Sequence, residues 1–135
     1  MATITVTGNL GSDPKINTAQ SGTSYSRFSL AWAESQKDKS GQWQQGPTVW
    51  IHVTCFGKVA ESVARNIRKG HRVTVSGTIT PEEWTDRQGQ ISTELTIRAN
   101  SVAVDLTFQD VNISKHQTQQ GYGMGGFGDT GQAPF

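Results

Sequence analysis

Cysteine is nearly absent. Cys55 is the only one in 135 residues, which excludes an intrachain disulfide framework and a cysteine-rich zinc site. The three histidines, His52, His71 and His116, lack metal-ligand spacing, so neither a metal nor a cofactor is expected. No nucleophile elbow is present, and no glycine loop of the kind that cradles phosphate. Glu82 and Glu83 are adjacent and point to opposite sides of an extended chain, which is no arrangement for an acid/base pair. Enzymatic activity is therefore not expected. Long apolar runs are missing too: nothing approaches the roughly 20 residues of a membrane span. The opening "MATITVTGN" has neither a basic flank nor an apolar signal core. The expected location is the cytoplasm. Charge of one sign is scarce, with a net of +1, slightly positive up to Leu106 and slightly negative beyond it. Charge alone thus announces no polyanionic partner. Only 33% of residues are apolar, so part of the chain should lie outside any core.

What is there is alternation. "TITVTGNLGSDP" alternates threonine with Ile4 and Val6 and then breaks into a turn. "SRFSLAWAES" spaces Phe28, Leu30 and Trp32 two apart, as a second strand would. The polar stretch "QKDKSGQWQQGP" reads as a long loop rather than a tight hairpin. A helix is expected over Lys58–Lys69, where Val59, Val63 and Ile67 recur at spacing four and Gly70 can end the run. "RVTVSGTIT" and "ISTELTIRANSVAV" follow, joined by the turn "TDRQGQ". In the last of these the apolar phase moves from odd to even positions, which a bulge near Ala99 to Ser101 would produce. The expected fold is all-β: a five-stranded OB-fold barrel over residues 1–106, with one helix between strands 3 and 4. Residues 107–135, rich in glycine and glutamine, should form a disordered tail.

The third strand, "VWIHVTCF", is two-sided. Val49, Ile51, Val53 and Cys55 share one face and form a core, while Trp50, His52, Thr54 and Phe56 share the other. Trp43, Trp50 and Trp84 are each set in polar sequence. Flat rings on a wet sheet face suit unpaired bases, whose stacking contributes roughly 1–3 kcal/mol each without regard to sequence. The alternative for any one of them is ordinary core or interface packing. Cys55 falls in the apolar set, where a small buried thiol is the plain reading. The sharper one is an intersubunit disulfide to its own copy under oxidation.

"GNLGSDP", "FSLAWAES", "WIHVTCFGKVAESVARNIRKG", "VTVSGTI" and "WTDRQGQ" occur in the order and spacing of the bacterial single-stranded DNA-binding protein family, which the first 105 or so residues resemble. The resemblance implies an OB-fold domain, assembly into a homotetramer through paired sheets, and single-stranded DNA wrapped around the outside. It implies that Trp50, Phe56 and Trp84 stack bases and that Lys58 contacts phosphate. Lys37 and Lys39, and Arg68 and Lys69 at the helix end, match basic positions expected along the DNA path, and Trp32 and Trp43 lie near where a further stacking tryptophan is common.

Three departures stand out. Gln36 occupies that further tryptophan position. "TPEEW" puts Glu82 and Glu83 where basic residues usually precede the tryptophan, which should make binding along that hairpin weaker or more salt-sensitive. The tail ends "GDTGQAPF", keeping Pro134 and Phe135 as a partner-binding tip without the usual run of aspartates. Recruitment of replication and repair proteins should be weak or altered, as suits an accessory paralogue. The expected function is sequence-independent binding and protection of single-stranded DNA, with the protein associated with the nucleoid. The alternative is an OB-fold interaction module of the primosome type, in which Trp50 and Phe56 make protein contacts.

Overall fold

The computed structural model describes residues 1–115. The alternating segments become β1 (Ala2–Leu10), β2 (Lys15–Thr18), β3 (Ser24–Lys37), β4 (Trp43–Phe56), β5 (Arg72–Thr85) and β6 (Ile91–Val104), with α1 (Gly57–Asn66) between β4 and β5. The sheet order is β1-β5-β6-β4-β3-β2, and β1 also pairs with β3 at Asn9–Ala31 and Leu10–Leu30. That second pairing closes five strands into a barrel and leaves β2 as a short hairpin partner on β3. Every pairing is antiparallel except β4 with β6, which run parallel through His52–Thr96, Val53–Ile97 and Thr54–Arg98.

The apolar phase of each strand fills the barrel. Val6, Leu10, Phe28, Leu30, Ile51, Val53, Cys55, Val73, Val75 and Ile97 are buried together, and α1 adds Ala60 and Val63. Ser26 is the polar member of this interior, and its hydroxyl donates to the Ala60 carbonyl at 3.2 Å, tying β3 to the helix. The expected bulge is present. Ser76 faces Ser101 while Gly77 faces Ala99, so Asn100 is the extra residue, and the apolar phase of β6 changes there.

Several expectations need correction. β2 was hidden in polar sequence: "KINT" is exposed throughout and is a strand because it pairs with Arg27–Ser24, not because one face is buried. The stretch read as a loop after β3 is an ordered hairpin arm, with Lys37 opposite Trp43 and a turn over Asp38–Gln42. It is polar on both faces because it extends past the core. The helix is shorter than its apolar stripe: Ile67 is extended (φ −117°, ψ 140°), although it stays buried and still donates its N–H to Val63. Val49 keeps the expected parity but is 38% exposed, lying beyond the last filled layer at an open apolar end with Ile4, Trp32, Ile79 and Leu95.

The barrel also keeps hold of the chain past Leu106. The Asp105 N–H donates to the Arg72 carbonyl at 3.0 Å, and its carboxylate pairs with the Arg72 guanidinium at 3.0 Å. Gln109 donates to the Arg72 carbonyl at 2.7 Å and accepts from the Arg72 N–H at 3.2 Å. The attachment therefore runs at least to Gln109. Residues 116–135 of the expected tail, with Pro134 and Phe135, lie outside the described residues.

Candidate nucleic-acid interface

Strand β4 supplies a floor. Its outward set runs Trp50, His52, Thr54, Phe56, and the register places Ala31, Ser29, Arg27 and Tyr25 of β3 beside them on one side and Thr96 and Arg98 of β6 on the other. Trp50 is 57% exposed. Its indole lies directly over Gly11 of the "GNLGSDP" turn, where a methyl group would overlap the ring. That turn is fastened beneath the ring: the Gly11 N–H donates to the Ser29 carbonyl at 2.8 Å, and the Ser29 N–H donates to the Ser12 hydroxyl at 3.2 Å. The glycine is thus a seat that sets the height and tilt of a flat, wet ring.

Phe56, at the other end of the floor, has the Arg98 guanidinium 4.3 Å from its centroid and Tyr25 tilted against it at 6.3 Å. A cation over the ring fixes its orientation and brings positive charge to a surface that would take a base. Lys58 follows in the first turn of α1, exposed. Thr96, opposite His52, is buried, and its hydroxyl has no hydrogen-bond partner among the described residues.

Two hairpin arms rise from this floor. One joins β3 to β4 and carries Lys37, with Nζ 5.2 Å from the centroid of Trp43, and Lys39 in the turn. The other joins β5 to β6 and carries Trp84, 48% exposed, with Glu82 directly opposite Glu94. Between Trp84 and the floor is an open cleft of about 640 Å³ lined by Arg27, His52, Glu82, Glu83, Trp84 and Glu94. Two pairs cross it. Arg27 reaches Glu82 at 3.9 Å, and His52 Nε2 lies 3.2 Å from Glu94 Oε1. Aromatic rings, cations and carboxylates meet on one exposed face with no enclosed cavity. Among the described residues no group of three or more His, Cys, Asp or Glu could hold a metal ion. Such a face is suited to gripping an extended, flat-ringed polyanion rather than a small molecule.

The sequence profile of the single-strand binding protein family matches residues 1–105. The chain belongs to that family. Its members are binding proteins, not enzymes. The single-stranded DNA-binding protein of Paenarthrobacter aurescens is 30% identical over 133 residues, spanning 96% of this chain and 78% of that protein. The single-stranded DNA-binding protein of Mycobacterium tuberculosis is 27% identical over 91% of this chain and 76% of its own length. The crystal structure of a small single-stranded DNA-binding protein from Streptomyces coelicolor superposes with a TM-score of 0.69 at 24% identity, covering 78% of this chain and 94% of that one, so the fold is shared.

In this member of the single-strand binding family, the residues expected at the interface divide into two groups. Trp50, Phe56, Trp84 and Lys58 border the floor and cleft, and Lys37, Lys39 and Trp43 stand on the adjoining arm. Trp32 does not join them. It pairs with Val49 across the sheet, on the face opposite Trp50, half-buried against the core. Arg68 and Lys69 follow α1, whose ten residues put them about 15 Å from Lys58. Arg68 donates to the Ala64 and Ile67 carbonyls at 2.7 and 2.9 Å, closing the helix end, and the Lys69 N–H donates to Asp13 at 2.8 Å.

The burial of Cys55 speaks against the intersubunit disulfide. The side chain has no exposed surface, facing the barrel interior beside Ser26, and burial pushes its thiol up to about 11. A copy's sulfur cannot approach it without opening the core. Arg27 and Arg98 were the residues missed. Arg27 was legible, since it shares parity with Ser29 and Ala31, opposite Phe28 and Leu30. Arg98 was not, because the pairing that sets it beside Thr54 and under Phe56 is a parallel one between distant strands.

Proposed function

We propose that this protein binds and protects single-stranded DNA without sequence preference, through base stacking and phosphate contacts. One observation carries the reading: the half-exposed Trp50 indole, seated on Gly11, lies in line with Phe56 on a face also bordered by Trp84. An indole held open to water by a dedicated glycine contact is not serving the core. Family membership supports the ligand. Lys58, Lys37 and Lys39 neutralise phosphates in this reading, while Arg68, Lys69 and Trp32 sit further from the path.

The protein acts as a homotetramer serving replication, repair or recombination, with altered partner recruitment through Pro134 and Phe135. Assembly is supported by β1, which pairs with β5 along Ala2–Asn9 but has strand β3 on its second edge only at Asn9 and Leu10. An open edge of this length favours pairing with another chain.

Titration with oligo-dT at low salt tests the central claim. Tryptophan fluorescence should be strongly quenched, with a midpoint that moves to weaker binding as salt rises. An unchanged spectrum at saturating oligonucleotide would overturn it. A mass measurement of the free protein tests the assembly.

A further inference from the structure

The cleft beside Trp84 holds a charge arrangement that stacking does not explain. Glu82 and Glu94 are direct cross-strand neighbours on β5 and β6, a like-charge pairing that destabilises a hairpin when left alone. Each instead finds a basic group on the barrel wall: Glu82 reaches Arg27 of β3 at 3.9 Å, and Glu94 reaches His52 of β4 at 3.2 Å. Both pairs bridge from the Trp84 arm to the floor, and Arg27 and His52 are the basic groups that line the cleft between Trp84 and that floor. Glu83 lines the same cleft without a cation of its own among the contacts of the described residues.

We propose that Arg27 and His52 are DNA-contacting residues occupied in the free protein by Glu82 and Glu94, and that single-stranded DNA engages them by exchange, its phosphates replacing the two carboxylates. The inference rests on the function proposed above and goes further, since it assigns the cleft a competitive step. The geometry fits exchange. All four side chains are between 40% and 55% exposed, so the pairs are weak and open to competing oxygen anions. Arg27 meets Glu82 as an ion pair at 3.9 Å, too long for a hydrogen bond, and a phosphate offers a guanidinium the same kind of oxygen acceptor, so exchange gives up no hydrogen bond at Arg27. The released carboxylates then stand beside DNA, and binding here is weaker than Arg27 and His52 alone would give. The two glutamates set the affinity of the cleft by occupying Arg27 and His52, in addition to repelling DNA at a distance.

The test is a double-mutant cycle on the full chain, with oligo-dT dissociation constants measured by fluorescence at several salt concentrations for wild type, Arg27→Ala, Glu82→Gln and the double variant. Glu83→Gln, a neighbouring charge without a paired cation, serves as the control, and thermal melts confirm that each variant folds. Under exchange, Glu82→Gln tightens binding roughly two- to fivefold and steepens the salt dependence by about one phosphate. Arg27→Ala then costs little in the wild-type background and roughly two- to fivefold in the Glu82→Gln background. A parallel cycle with His52→Ala and Glu94→Gln should show coupling of the same sign. Equal cost of Arg27→Ala in both backgrounds, or a Glu83→Gln salt slope as steep as that of Glu82→Gln, would overturn the proposal and leave oligo-dT binding itself standing. Failure of the wild type to bind oligo-dT would remove both the function and this refinement.

Discussion

The two hairpin arms share a turn and differ in what they carry. The first turns through Asp38-Lys39-Ser40-Gly41-Gln42 and the second through Asp86-Arg87-Gln88-Gly89-Gln90. In each, the aspartate N–H donates to the closing glutamine carbonyl at 2.9 Å, and its carboxylate accepts that glutamine's N–H at 2.9 Å. In each, glycine takes the left-handed conformation that the turn requires, φ 86° at Gly41 and 81° at Gly89. Above the same backbone turn, the β3–β4 arm sets a lysine against its tryptophan, and the β5–β6 arm sets three glutamates around its own. Shape in these arms comes from a five-residue code, and the charge and rings they present come separately from the side chains on the stems.

That separation can be attacked in order of effect. The floor shared by both arms should matter most. Trp50→Ala removes a stacking surface worth about 1–3 kcal/mol, so oligo-dT binding should weaken roughly tenfold to a hundredfold with the melting temperature little changed; unaltered affinity would mean that the arms alone hold DNA. Next come the arm tryptophans. Trp84→Ala should cost about tenfold and Trp43→Ala about threefold or less, because Trp84 borders the floor cleft while Trp43 stands further out with Lys37 on one face. Equal losses would make the arms functionally alike.

Charge reversal is a smaller lever. The double variant Glu82→Lys with Glu83→Lys should tighten binding several-fold and steepen the salt dependence by about two phosphates, making the second arm resemble the first. Smallest is a difference between the turns. Asp38 also accepts a hydrogen bond from the Ser40 hydroxyl at 2.7 Å, and Gln88 offers no hydroxyl in the corresponding place. This bond, ahead of the Gln42 and Ser40 amides, holds the Asp38 carboxyl below its ordinary value. A depressed folded pKa means that the ordering of this turn is fully present above the ordinary aspartate range and is lost as pH falls through the depressed value. Amide resonances of Ser40 and Gln42 should shift in that acidic step. Resonances that stay put would show that the carboxylate does not organise the turn.

The barrel strands were legible because each buries one face: Phe28 and Leu30, Ile51 and Val53, and Val73 and Val75 all advertise a period of two. Even the bulge at Asn100 was visible as a change of phase. The arms and β2 were not, since a strand without a buried face has no apolar period, and only "TDRQGQ" read as a turn. At the site, the face of Trp50 and Phe56 followed from parity, and so did the burial of Cys55. The seat under Trp50 did not: Gly11 lies far from Trp50 in sequence, and a glycine needed for close approach looks like a glycine needed for a turn. His52 stood unexplained between two rings until the fold brought Glu94 within reach. Trp32 lies near a stacking position in sequence, but its alternation with Phe28 and Leu30 turns its ring to the core side of the strand.

The parallel pairing joins β4 to β6 through only three residue pairs, His52–Thr96, Val53–Ile97 and Thr54–Arg98, whereas the antiparallel ladders of β3 with β4 and β5 with β6 are far longer. Those three pairs lie directly between Trp50 and Phe56, under the face assigned to DNA. A strand laid across the two rings would act as a suture over one of the two short seams in the wall, resisting the motion by which β6 peels from β4. Occupancy would then register as mechanical resistance of the closed barrel, with the ligand bracing an edge that the backbone braces lightly.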